Sequence, residues 1–297
     1  QIVLDNVALY ASEGGDGTPY AGMEFADAAY DIILTLRGNN TLQRSMVSKT
    51  GAIQRPGLYM YAGSLTIQGS GTLNLTGGTN PNGPSLQGGD GLCINSAKLT
   101  IKDGAAVHAR GGNPDRNPGD GMWGDKLASV VLENGILDLQ GHYGIGGGGA
   151  SNPIVVKGDR TEIISLSGQG IADHLSVKLE AGNGWYGVVQ SGKDSSSPGG
   201  KQYIAPDSSY TTEDARWHRI TMDNAKYSLD VQGGSGSSGA GQYFPTEKVS
   251  VSAGTKEGCG FKEWKLVSGS GNFADAGKAD TTFDMGWEDA VISPEFC

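Results

Sequence analysis

The chain has 297 residues, of which 50 are glycine, more than twice the ordinary share. There is no Gly-x-y period and strand-like apolar runs recur throughout, which excludes collagen and a disordered chain and points to many turns between many short strands. The 32 acidic against 22 basic residues give a net charge of −10, which excludes a nucleic-acid backbone as partner; no apolar run is long enough to cross a bilayer as a helix, so no membrane insertion is expected.

In chain order, "QIVLDNVALY" reads directly as a strand, with no charged-then-apolar leader before it. "GMEFADAAYDI", near residues 22–32, is the best helix candidate. Two fourteen-residue phrases then echo each other: "LTIQGSGTLNLTGG" at 65–78 and "LTIKDGAAVHARGG" at 99–112. Aligned on Ile67, Ile101 and Leu132, the offsets are 34 and 31, with second strands at 72–76, 105–110 and 136–140. "VVKGDRTEIISLSG" is a looser copy about 24 residues further on. Inserts such as "TNPNGPSLQGGDG" and "NPDRNPGDGMWGDK" always fall on the same side of the motif.

A strand–corner–strand unit at a period of 20–50 residues cannot bury its apolar face alone, but stacked units share one core. Leu73 and Leu75 alternate with Asn74, as a half-buried strand requires. The expected fold is therefore a parallel β-helix, in preference to a β-sandwich with similar hairpins. Residues 200–220, rich in Ser, Pro and charge, read as the solenoid's end, a connector and in part a cap over the last sheet edges. From Ile220 a small antiparallel β domain is expected, dividing the chain into 1–219 and 220–297.

Over about 75 C-terminal residues, "QYFPTEKVSVSAG", "EGCGFKEW", "TTFDM" and "DAVISPEF" resemble the divergent internalin-type B-repeat of Gram-positive surface proteins. The resemblance implies a β-grasp-like module with Phe261 and Trp264 in its core that spaces or presents other domains. Gly286 departs from it, standing where a proline is common. "LTIQGSGTLNLTGG", "GDGL" at 89–92, "GDGM" at 119–122 and "GIGGGG" at 144–149 resemble the β-helix proteins labelled carbohydrate-binding in gut and cellulolytic bacteria. That resemblance implies an all-β protein with a right-handed parallel β-helix, secreted or on the cell surface, binding polysaccharide or host surface glycan, with calcium in some relatives.

The chemistry-bearing residues follow the rungs. Asp90, Asp103, Asp120, Asp125 and Asp138 fall on successive copies with Arg110 and Arg116 nearby, the ingredients of a calcium-assisted lyase. Asp120 and Asp125 are the candidate calcium ligands, although Asp90 and Asp120 also suit glycine-flanked turns that bond to their own backbone. Asp138, between two leucines, is expected to face outward. A hydrolase needs paired carboxylates, and the repeat region has no adjacent Asp or Glu pair; Glu213-Asp214 and Glu288-Asp289 lie outside it. His108 and His142 are expected to stack, and "GIGGGG" to form a tight corner.

Trp123, in "GDGMWGDK", and Trp185 with Tyr186, in "GNGWYG", are the candidate sugar-stacking aromatics, expected at loop tips. Cys93 reads as a core residue, while Cys259 and Cys297 read either as a bridge or as two buried thiols. The expected protein is a monomeric, non-catalytic adhesion or polysaccharide-binding protein. The alternatives are a lyase or hydrolase of acidic glycans and a structural stalk segment.

Overall fold

The computed structural model describes residues 1–11, 21–25, 30–44, 55–79, 88–112, 119–124, 128–147, 153–167, 176–180, 184–211 and 215–297. Among these every regular element is a strand. The "GMEFADAAYDI" stretch is no helix where it is described: Met23–Phe25 and the start of Asp31–Arg37 are strands, and 26–29 lie outside the described residues. Tertiary pairing overrides a weak local helical period there. The chain divides into two units, Gln1–Asp223 and Asn224–Cys297, slightly later than the expected boundary.

The first unit is a parallel β-solenoid. Among the described residues five successive coils each add one strand to each of three sheets, as in Gly63–Gln68, Thr72–Thr76 and Leu92–Ile94, then Ala97–Lys102, Ala106–Arg110 and Met122–Gly124. Ile67 pairs with Ile101, Ile101 with Leu132, and Leu132 with Val156, so the sequence offsets are the coil lengths. The same inward column extends from Leu34 to Leu179, all of it at most 1% exposed. Each fully buried Leu or Ile in it contributes roughly 2 kcal/mol of transfer free energy.

The corner between the first and second strand of each coil falls on Asn6, Gly38, Gly69, Asp103, Asn134 or Gly158, every one at positive φ (54° to 99°). Only glycine and short Asx side chains take this conformation at low cost, which is why no branched residue occupies the position. Asn6 and Asn134 add a bond: their Oδ1 atoms accept the backbone N–H of Asn39 and Arg160 in the following coil.

The inserts leave between the second and third strands, and their necks are glycine. A hydrogen-bonded zigzag climbs from coil to coil: Gly78 N–H to Arg55 O, Gly89 to Gly78, Gly112 to Gly89, Gly119 to Gly112, His142 to Gly119. The backbones lie so close that a Cβ on Gly112 would sit 2.0 Å from Gly78 O, and one on Gly111 1.9 Å from Gly119 O. The Gly-Gly that closes each echo is thus a site of close approach. "GIGGGG", expected as a corner, opens with the third-sheet strand Ile145–Gly147; 148–150 lie outside the described residues.

The stretch expected as a connector is built into the solenoid. Trp217–Asp223 pairs antiparallel with Glu162–Ser167 on one side and Tyr186–Gly192 on the other, with Gln202–Ile204 beyond; Ser209–Thr211 covers Ser176–Leu179. These reversals cover the last parallel edges of the eight- and nine-stranded sheets, as the cap expectation required. Here the inward column turns polar, running from Leu139 to Ser165, His218 and Ser191, and the His218 Nδ1 and Ser191 Oγ atoms lie 2.8 Å apart.

The second unit has a four-stranded sheet in the order Gly241–Tyr243, Tyr227–Val231, Ala290–Phe296, Phe261–Ser268, and a three-stranded antiparallel sheet. It is not wholly antiparallel, because its first and last strands pair in parallel. Leu229, Val251, Trp264, Phe283 and Ile292 form its core; the Trp264 indole N–H donates to Lys278 O at 3.1 Å, and its ring stacks on Phe273. Cys259 and Cys297 are bridged, closing the end of the ladder in which Phe261 pairs with Phe296.

Candidate ligand groove

Asp90 and Asp120 bond to the next coil rather than within their own turns. Asp90 Oδ1 accepts the Asp120 N–H at 2.9 Å, and Asp120 Oδ1 accepts the Tyr143 N–H at 3.1 Å. Burial pushes the Asp90 carboxyl up to about 7; the Asp120 N–H opposes the shift and the Asp120 charge adds to it. Asp120 is 5% exposed, and its carboxylate fills the space beside Gly146. Asp125 lies outside the described residues, and among those described no group of three His, Cys, Asp or Glu side chains is placed to hold a metal ion.

The three candidate aromatics are not brought together. Trp123 faces outward from the five-stranded sheet, in one row with Tyr59 and Cys93. Cys93 is buried, as expected of a core residue, although strand alternation turns it away from Leu92 and Ile94. Trp185 is half-buried just before Tyr186–Gly192. Tyr186, expected at a loop tip, is instead the first residue of that strand, fully buried, with its ring 5.1 Å from Tyr203. Its strand is paired on both sides, by Trp217–Asp223 and by Gln202–Ile204, which takes the tyrosine out of solvent.

His108 does not stack on His142. Parallel register sets it opposite Asp138, whose Oδ2 lies 2.9 Å from both His108 Nδ1 and Arg110 Nη2. Asp138 faces outward as expected, although its neighbours leave its side chain only 14% exposed. Burial raises its pKa, but the hydrogen bond from His108 and the Arg110 charge outweigh that and hold the carboxyl below the ordinary range.

Asp138 marks one wall of a groove of about 500 Å³ on the outer face of the nine-stranded sheet. Register carries the row from His108 through Asp138 and Ile164 to Arg219 and Gln190. The next row holds Arg110, Gln140, Leu166 and Trp217. Arg110 also donates to Gln140 Oε1, and Arg219 Nε donates to Glu162 Oε1 at 2.7 Å. Ile164, Leu166 and Trp217 make an apolar strip within this polar frame.

The tight turn between Gly192 and Pro198 adds Asp194, Ser195 and Pro198 to the lining. Asp194 Oδ1 is occupied by the Ser196 hydroxyl and N–H, which keep its carboxyl below the ordinary range. Of these residues the sequence singled out Arg110 and Asp138 but not Trp217, Glu162 or Arg219. The available signal was the alternation in "RWHRIT", which sends Trp217 and Arg219 to one face and His218 and Ile220 to the other.

Fold and groove together define a parallel β-solenoid protein with a mixed polar and apolar cleft on one sheet face and a second, disulfide-bridged β unit. Comparison with family models, curated proteins and solved structures finds no match in any of the three.

Proposed function

We propose that this protein is a non-catalytic, secreted or surface-displayed bacterial glycan-binding protein whose contact site is the groove on the nine-stranded sheet. The observation that carries the reading is the lining: an apolar strip of Ile164, Leu166 and Trp217 framed by amide, guanidinium and carboxylate groups. A sugar ring offers an apolar C–H face and a rim of hydroxyls, and such a cleft complements both. The bridged Cys259–Cys297 pair suits an oxidising compartment. The resemblance of the second unit to B-repeats makes it a spacer that presents the solenoid.

A hydrolytic reading is weaker, because Asp138 is held charged by His108 and Arg110 and is unsuited to donate a proton to a leaving group. A panel of neutral and acidic polysaccharides, assayed for binding and for new reducing or unsaturated ends, tests the proposal. The expected result is binding of at least one glycan without new ends, weakened about tenfold or more by Arg219→Ala. New ends would establish an enzyme, and silence on every glycan would favour the stalk.

A further inference from the structure

We infer that the groove takes a neutral, hydroxyl-rich saccharide and rejects uronate- or sulfate-bearing chains. The inference rests on the glycan-binding reading above and names its ligand class. Its basis is how the groove's charges are already matched. Arg110 is bonded to Asp138 and Gln140, and Arg219 to Glu162, so neither guanidinium waits for an anion. The lining holds three carboxylates, Asp138, Glu162 and Asp194, against those two guanidiniums.

An entering carboxylate or sulfate brings acceptors alone, and would have to displace an internal acid from an arginine while facing the others. A hydroxyl is both donor and acceptor. It can give a proton to an Asp138, Glu162 or Asp194 oxygen and accept from Arg110, Arg219, Gln140 or Gln190 without breaking a standing pair. His108, on the adjacent strand, is engaged with Asp138 through its Nδ1 at 2.9 Å. The apolar strip is indifferent to charge and serves the ring face.

The test compares matched neutral and uronate-bearing oligosaccharides by calorimetry at low and moderate ionic strength, on the full chain and two variants. Arg219→Ala and Glu162→Gln alter part-exposed side chains, and their melting curves should overlay the parent's. The parent should bind the neutral series with affinity changing less than about twofold with salt. Arg219→Ala should weaken that binding about tenfold. Glu162→Gln, which frees Arg219 from its partner, should gain about tenfold in affinity for the uronate series.

A parent that prefers uronates, with affinity falling steeply as salt rises, overturns this inference and leaves the glycan-binding reading standing. No binding of either series overturns both.

Discussion

At the scale of single residues, Asp90 is a largely buried carboxyl whose ionisation opposes folding. Burial pushes its carboxyl from the ordinary value of about 3.8 up to about 7. Between those values the folded chain keeps a proton that the unfolded chain has lost, so stability falls as pH rises toward 7 and stays lower above it. A shift of this size corresponds to about 4 kcal/mol, reduced by the partial exposure of Asp90. Asp90→Asn preserves the Oδ1 acceptor for the Asp120 N–H and removes the charge. It is expected to add on the order of 2 kcal/mol at pH 8 and almost nothing at pH 4, read by urea unfolding at both. An unchanged difference between the two pH values would show that the carboxylate is not strained by burial. The repeated "GDG" placed Asp90 and Asp120 on successive coils, but did not show the bond between them. Asx residues ordinarily bond within their own turn, and nothing local reveals that the acceptor serves the next coil.

At the scale of elements, the echoing phrases were readable because one inward column of Leu, Ile and Val repeats at each coil, and parallel pairing converts that repeat into register. The third strand of a coil is not separable in sequence from the first strand of the next, because three residues carry too little periodicity. The closing strand Trp217–Asp223 escaped because its inward positions include His218, so the apolar alternation that marks a strand is broken where the core turns polar. The glycine necks were visible as composition, while their tightness was not. Gly112→Ala should cost about 3 kcal/mol or more, since the added carbon meets backbone of the preceding coil and no side chain can yield. Gly200→Ala, with open space around it, should change the melting temperature negligibly and serves as the control. Equal melting of the two variants would mean that the neck relaxes freely.

At the scale of the whole molecule, the chain carries two separate apolar cores, one in each unit, and only the second is cross-linked. The bridge spans 38 residues, a separation for which chain entropy predicts about 3–4 kcal/mol. Calorimetry of the full chain should therefore show two transitions, of which reductant lowers one and leaves the other in place. A shift of both, or of neither, would contradict that division. Two units were legible from the change of texture near residue 220, but the groove was not. Its lining is drawn from five strands between Ala106 and Asp223, joined only by register, and no local spacing announces it. The glycine necks have one more consequence. Because the Gly89 N–H bonds to Gly78 O and the Gly119 N–H to Gly112 O, the coils are joined across the bases of these two inserts. The solenoid is in effect a pegboard: foreign peptides spliced between Gly78 and Gly88, or between Gly112 and Gly119, should be carried side by side at the pitch of the sheet, about 4.8 Å per coil.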